Sequence, residues 1–248
     1  MFMPELRRSG MTMFDQISAT LTGVADDRPP VVLVHGLSYD RRQWGPLVRE
    51  LDPGRRVLAL DLPGHGQSPR RDSYVSGEVA EVLHRAIEAA GFEAPIVVGH
   101  SLGGVLVTVY AARYPTRGVV NVDQPLTLGR FGAVVRAAEP VLRGPEWRTV
   151  WDRFVAGMGI DSLPAEVRGL AEDSRPRADL LLGYWEEILR LPDEVIDAQR
   201  REELASISVP YVSVMSGDFP DAGHFPHLAH PGAVARIITQ SFQPTEPG

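Results

Sequence analysis

Val97-Val98-Gly99-His100-Ser101-Leu102-Gly103-Gly104 decides how this chain is read. An apolar run, Ile96–Val98, leads into Gly-x-Ser-x-Gly, and a helical pattern over Gly103–Tyr114, stopped by Pro115, follows it. Strand, motif, helix is the order that gives the motif chemical meaning. A serine on a sharp strand-to-helix turn needs small residues two positions to either side, because the backbones pass closely there. The turn lifts the hydroxyl off the carboxyl edge of a sheet. The amides that open the helix then point at any negative charge developing on a reacting oxygen. Ser101 is therefore the candidate nucleophile.

Around this motif lie further short apolar runs bounded by turn signals: Val31–Val34, Val57–Leu60, Val119–Val122 and Tyr211–Met215. With Ile96–Val98 they read as buried parallel strands. Between the second and third runs, Val75, Val79, Val82, Leu83, Ala86, Ile87 and Ala90 share one helical face that Gly91 ends. Strands alternating with helices predict an α/β fold with a mostly parallel, doubly wound sheet covered on both faces. Ser18–Gly23 gives a weaker signal for an edge strand. The rhythm stops between Pro125 and Val209, where helical patterns run over Phe131–Arg143, Trp147–Met158, Ala178–Leu191 and Asp193–Leu204. The expected organisation is a core of residues 1–124 and 208–248, with residues 125–207 inserted as a helical lid over the carboxyl edge of the sheet. Apolar and aromatic stripes of the insertion make Trp147, Trp151 and Trp185 candidate pocket residues.

The chain resembles the α/β-hydrolase superfamily from Pro30 to about Phe242. Val31-Val32-Leu33-Val34-His35-Gly36 is similar to the family's strand ending in a His-Gly oxyanion turn. Asp61-Leu62-Pro63-Gly64-His65-Gly66-Gln67-Ser68 is similar to its Asp-x-Pro-Gly-x-Gly-x-Ser loop. Gly99–Gly104 matches its nucleophile elbow, and Asp221-Ala222-Gly223-His224-Phe225 is similar to its catalytic-histidine loop. The resemblance implies Ser101 as nucleophile, His224 as general base, and the backbone amides of Leu37 and Leu102 as the oxyanion hole. It implies that His35 shapes the oxyanion turn, that Asp61 and His65 brace their loop, and that His100, which follows the family's elbow pattern, lines the pocket wall. A serine at the elbow sets the chain apart from the family's epoxide hydrolases and haloalkane dehalogenases, which use an aspartate there.

The acid of the triad is open. Relatives usually carry it after the strand that follows the insertion, three residues beyond a Gly, and Pro220 stands at that position here. Asp218 and Asp221 flank it. Asp123, in Val122-Asp123-Gln124-Pro125, sits at the end of the preceding strand and is the first candidate, with Asp218 as the alternative. Relatives also place a helix and a strand between acid and histidine, which makes the strand after the insertion the penultimate one. Too few residues separate Asp218 from His224 for that crossover, which needs roughly a dozen. Either the chain lacks the last helix and strand, or a segment is absent from this sequence. The cost of an open sheet edge favours the second.

Composition narrows the function classes. The 248 residues carry a net charge of −7, which argues against nucleic acid as a partner. There is no cysteine, which removes disulfides, thiolate metal sites and cysteine nucleophiles. Every basic residue is Arg, which removes Schiff-base chemistry and a phosphate-loop lysine. Arg41, Arg42, Arg55 and Arg56 read as solvated surface. No apolar run is long enough to span a membrane, and Arg7 and Arg8 are not followed by the apolar core of a signal peptide, so a cytoplasmic location is expected. The expected function is cofactor-free, metal-free serine hydrolysis of a small, mainly apolar carboxylic ester, thioester or lactone. C–C bond hydrolysis and cofactor-free perhydrolysis on the same triad are alternatives, as is a relative that binds a ligand without turnover.

Overall fold

The computed structural model describes residues 11–242; the leader-peptide expectation, which turns on Arg7 and Arg8, lies outside them. The strands are β1 (Met11–Phe14), β2 (Ile17–Thr22), β3 (Val31–Val34), β4 (Val57–Leu60), β5 (Ile96–His100), β6 (Gly118–Val122) and β7 (Tyr211–Val214). They form one sheet in the order β1-β2-β4-β3-β5-β6-β7. β1 and β2 pair antiparallel and β2 lies antiparallel to β4. From β4 to β7 every pairing is parallel.

Alternation along the strands divides the core. Val32 and Val34 of β3 face one apolar layer, shared with α2 (Ser76–Ala89) and α3 (Leu102–Ala111). Val31 and Leu33 face the other, built on Trp44, Leu47 of α1 (Gly45–Glu50), and Val234 and Ile238 of the C-terminal helix. Burying each such side chain contributes about 1.5–3 kcal/mol before chain entropy is counted. Within this two-sided core, β3, β5 and β6 are fixed at the centre of the sheet. Their carboxyl ends carry His35, Ser101 and Asp123.

Helices α4 (Arg130–Leu142), α5 (Arg148–Ala156), α6 (Ala165–Glu172), α7 (Ala178–Tyr184), α8 (Glu186–Arg190) and α9 (Asp193–Ser206) connect β6 to β7. The sequence periodicity misses α6. It also runs Ala178–Leu191 together, whereas the chain breaks at Trp185 between α7 and α8. After β7 come a 3-10 turn at Ser216–Asp218, α10 (Pro226–Ala229) and α11 (Pro231–Gln240), so β7 is the last strand among the described residues. It is also the edge of the sheet, with Tyr211 and Val212 half-buried and Ser213 exposed, rather than a strand buried on both sides. Residues 215–223 bring His224 to the sheet edge with no further crossover.

The four arginines do not behave as one solvated surface. Arg55 is 6% exposed and donates to Asp52 and the Pro29 carbonyl. Arg41 pairs with the fully buried Asp61 and donates to Thr20 Oγ1. Arg42 pairs with Asp40 and Asp173, and Arg56 lies over the Phe92 ring. An Arg stem packs on apolar surface while its head finds acceptors, so composition alone does not place it.

Candidate active site

Ser101 has φ 52° and ψ −123°, a backbone conformation that L-residues rarely adopt. It is held by the elbow: Ser101 N–H donates to the Val122 carbonyl at 3.0 Å, and its own carbonyl accepts from Gly104 N–H at 2.7 Å. The small neighbours are obligatory. A Cβ at Gly99 would meet the Gly103 carbonyl, and a Cβ at Gly103 would meet the Val34 carbonyl. Among the described residues, neither the Leu37 nor the Leu102 amide has a hydrogen-bond acceptor. Both stand where the resemblance puts an oxyanion hole.

The turn that carries Leu37 is built from buried imidazoles. His35 Nε2 accepts the Leu62 N–H at 2.9 Å while its Nδ1 faces the Gly36 carbonyl at 2.8 Å. His65 Nε2 accepts the Ser38 N–H at 3.0 Å, and its Nδ1 faces the Pro63 carbonyl at 3.1 Å. Burial pushes His35 down to about 4 and His65 down to about 3. Both rings are therefore neutral struts at neutral pH. Asp61 accepts N–H bonds from Arg41 and Gln67, each at 2.9 Å, and so fixes the loop that holds His65.

His224 Nδ1 lies 2.7 Å from Asp123 Oδ2, and Asp123 Oδ1 accepts the Ser216 N–H at 2.6 Å. Burial pushes the Asp123 carboxyl up. The bonds from His224 and Ser216 outweigh that and hold it below the ordinary carboxylate value. Asp123 itself sits at φ 51°, which turns its side chain off the end of β6 towards the histidine. Asp218 goes elsewhere: its Oδ2 accepts the Met215 N–H at 2.8 Å and closes its own turn. Asp221 pairs with His230 at 2.7 Å. The alternative acids are thus occupied in local structure, because a nearby amide or imidazole is a cheaper partner than a distant ring. No hydrogen bond joins Ser101 Oγ to His224; such bonds are often loose without substrate.

The candidate pocket residues part company. His100 is fully buried and its Nε2 lies 2.7 Å from the His224 carbonyl, so it sits beneath the elbow and forms no open wall. Trp151 is 3% exposed and donates to Ser174 Oγ at 3.2 Å. Trp185 is 6% exposed and packs against Phe131 and Phe154. Trp147 is half-buried against the same apolar cluster. Clefts of about 590 and 380 Å³ lie elsewhere, lined by Glu187 and Arg200 and by Arg71 and Asp179, and involve none of these residues. The sequence reading missed Met158, whose carbonyl accepts the His224 N–H at 2.9 Å. The Gly-Met-Gly run at 157–159 was the available signal. It also missed Tyr39, whose ring lies edge-on to Phe225 and whose hydroxyl donates to the Ala171 carbonyl at 3.1 Å.

Comparison with known proteins agrees with the fold. A model of the alpha/beta hydrolase fold matches residues 29–158. The chain is 25% identical over 251 residues to the pimeloyl-[acyl-carrier protein] methyl ester esterase of Yersinia enterocolitica, covering 86% of this chain and 93% of that one. It is 37% identical over 99 residues to the putative carbamate hydrolase RutD of Escherichia coli, 39% of this chain and 37% of that protein. The first curated relatives are thus matched over less than two fifths of their own length. Among solved structures, AqDC, described by its ring-cleavage of the Pseudomonas quinolone signal, superposes with a TM-score of 0.73 at 17% identity, covering 94% of this chain and 98% of that one. At that identity the likeness is one of fold.

Proposed function

Because the chain belongs to the alpha/beta hydrolase fold family, we propose that it is a serine hydrolase of a small, mainly apolar carboxylic ester, thioester or lactone. The observation that carries this reading is the Asp123–His224 pair at 2.7 Å, together with an elbow that holds Ser101 at φ 52°. In the proposed cycle His224 Nε2 takes the Ser101 proton as Oγ attacks the carbonyl carbon. The amides of Leu37 and Leu102 bind the oxyanion, a group whose loss typically costs about 10²–10³ in turnover. His224 then gives the proton to the leaving alcohol or thiol, whose bond to the acyl carbon breaks. A water deprotonated by His224 attacks the acyl-enzyme and restores Ser101. Asp123 keeps the histidine in the tautomer whose Nε2 faces the serine and stabilises the imidazolium that forms. The methyl ester esterase and carbamate hydrolase among the relatives act, by their names, on carbonyl compounds, which supports the reaction class.

A second reading rests on the Asp123–His224 pair as a base that needs no serine. In that reading His224 abstracts a proton from an acidic heterocycle, and the anion adds dissolved dioxygen, the external oxidant, whose new bonds to carbon replace the ring bonds that break; ring cleavage is the activity named for AqDC.

One experiment separates them: labelling with a fluorophosphonate, followed by intact mass, then an ester panel and a hydroxyquinolone. A single phosphonyl adduct that disappears in Ser101→Ala, with ester turnover lost in the same variant, is the expected result. Loss of the heterocycle's absorbance in both the wild type and Ser101→Ala would favour ring cleavage. No adduct and no turnover of either substrate class would leave a ligand-binding relative.

A further inference from the structure

The family resemblance implies a further helix and strand between acid and histidine. Here His224 follows a short loop beyond the edge strand, so its position must come from other contacts. The peptide of His224 is held from both sides. Its N–H donates to the Met158 carbonyl at 2.9 Å, and its C=O faces His100 Nε2 at 2.7 Å. A carbonyl oxygen only accepts, so His100 carries its proton on Nε2. The His100 ring is fully buried among the other rings of the site. Its centroid lies 4.7 Å from His224, 5.4 Å from Phe225 and 4.4 Å from His227. On its other side a Cβ at Gly36 would lie 3.0 Å from His100 Nδ1 and 3.2 Å from Ser101 Cβ, so the oxyanion turn rests against the same ring.

We propose that His100 is a positioning residue, which through the Nε2–H bond to the His224 carbonyl fixes the base against the elbow in place of a sheet strand. The proposal rests on the reading of His224 as base. His100 is the neighbour of Ser101 in the chain, so one residue rigidly attached to the nucleophile carries the histidine's peptide. Nucleophile, oxyanion turn and base then share a single buried wedge. The wedge is uncharged at working pH, because burial and the neighbouring histidines keep it far below an ordinary imidazole. It therefore does not compete with His224 for a proton.

The test compares His100→Phe, which keeps an aromatic ring and loses the donor, with His100→Gln, which retains a donor at a similar reach. The first readout is the downfield proton resonance of His224 Nδ1–H in the resting protein, assigned by its absence in His224→Gln. The second is kcat and KM on a p-nitrophenyl ester. The expected result for His100→Phe is a shifted or broadened resonance and a kcat lowered about 10²-fold at unchanged KM, the cost of a base misplaced by about an ångström. His100→Gln is expected to recover most of both. A wild-type resonance and kcat in a folded His100→Phe protein would overturn the proposal, as would equal losses in both variants. If His100→Phe does not fold by circular dichroism, His100→Asn carries the same comparison, since its amide stops short of the carbonyl. If the wild type turns over no ester and takes no phosphonate, the hydrolase reading fails, and the resonance alone decides the positioning role.

Discussion

At the scale of single residues, the partner of His224 is where geometry adds most to the sequence. Asp123 and Asp218 both follow a strand end, both precede turn residues, and both lie within reach of His224 on any coarse reading of the chain. Only the routing of the backbone separates them. Asp123 turns at φ 51° and meets His224, while Asp218 folds back on Met215 N–H. Asp123→Asn should lower kcat by about 10⁴ while leaving the fold intact, because Asn still accepts the Ser216 amide but favours the wrong imidazole tautomer. Asp218→Asn should leave kcat unchanged. Steady-state kinetics on the two purified variants decide the assignment, and the reverse pattern would move the acid to the strand after the insertion.

At the scale of elements, the elbow was legible because its glycines answer to close backbone contact, which leaves a spacing in the sequence. Strands β3 to β7 are legible because each is a short, mostly apolar run; β1 is missed, and β2 signals only weakly because polar and apolar residues alternate along it. The break between α7 and α8 was not legible, since the apolar stripe Leu181, Tyr184, Trp185 and Ile188 continues across it. Nor was the link from the inserted helices to His224. That link is a backbone contact at which Gly223 (φ +51°) lies against the Met158 carbonyl and Gly159 (φ +70°). A Cβ at Gly223 would collide with that carbonyl. Gly223→Ala should therefore cost about 1–2 kcal/mol of stability for the left-handed conformation alone and also reduce kcat, because the strain falls on the His224 peptide. Gly169 is the control: it lies in α6 with nothing near its missing Cβ. Gly169→Ala should be neutral or slightly stabilising and leave turnover unchanged. Urea unfolding and kcat measured on both variants test the pair. Equal behaviour would mean that the insertion does not brace the base.

At the scale of the whole molecule, the buried imidazoles give the fold a sensitivity to acid. His35, His65, His100 and His227 are all buried. Burial pushes His35 down to about 4 and His65 and His227 to about 3, and lowers His100 well below an ordinary imidazole. In the unfolded chain each would take up a proton near 6.5. Below that pH the unfolded state binds more protons than the folded one, so stability falls as pH falls from about 6.5 towards 4. Each such histidine contributes a slope of up to about 1.4 kcal/mol per pH unit. Together they can consume a typical domain stability of about 5–15 kcal/mol within a few units of acidification. Asp123, held low, adds a loss only once the pH drops into and below the ordinary carboxylate range. His227 isolates the effect: neither of its ring nitrogens has a hydrogen-bond partner, and the ring packs 4.6 Å from Trp44 and 4.4 Å from His100. Its near neighbours that titrate are His100 and His224, with Asp123 beyond. His227→Phe fills the same space and removes one proton site, so its urea midpoint should exceed that of the wild type at pH 8 and exceed it by more at pH 5.5. A constant difference between the two pH values would mean that His227 is protonated equally in the folded and unfolded chains, and the acid sensitivity would then have to lie with the remaining histidines or with the carboxylates.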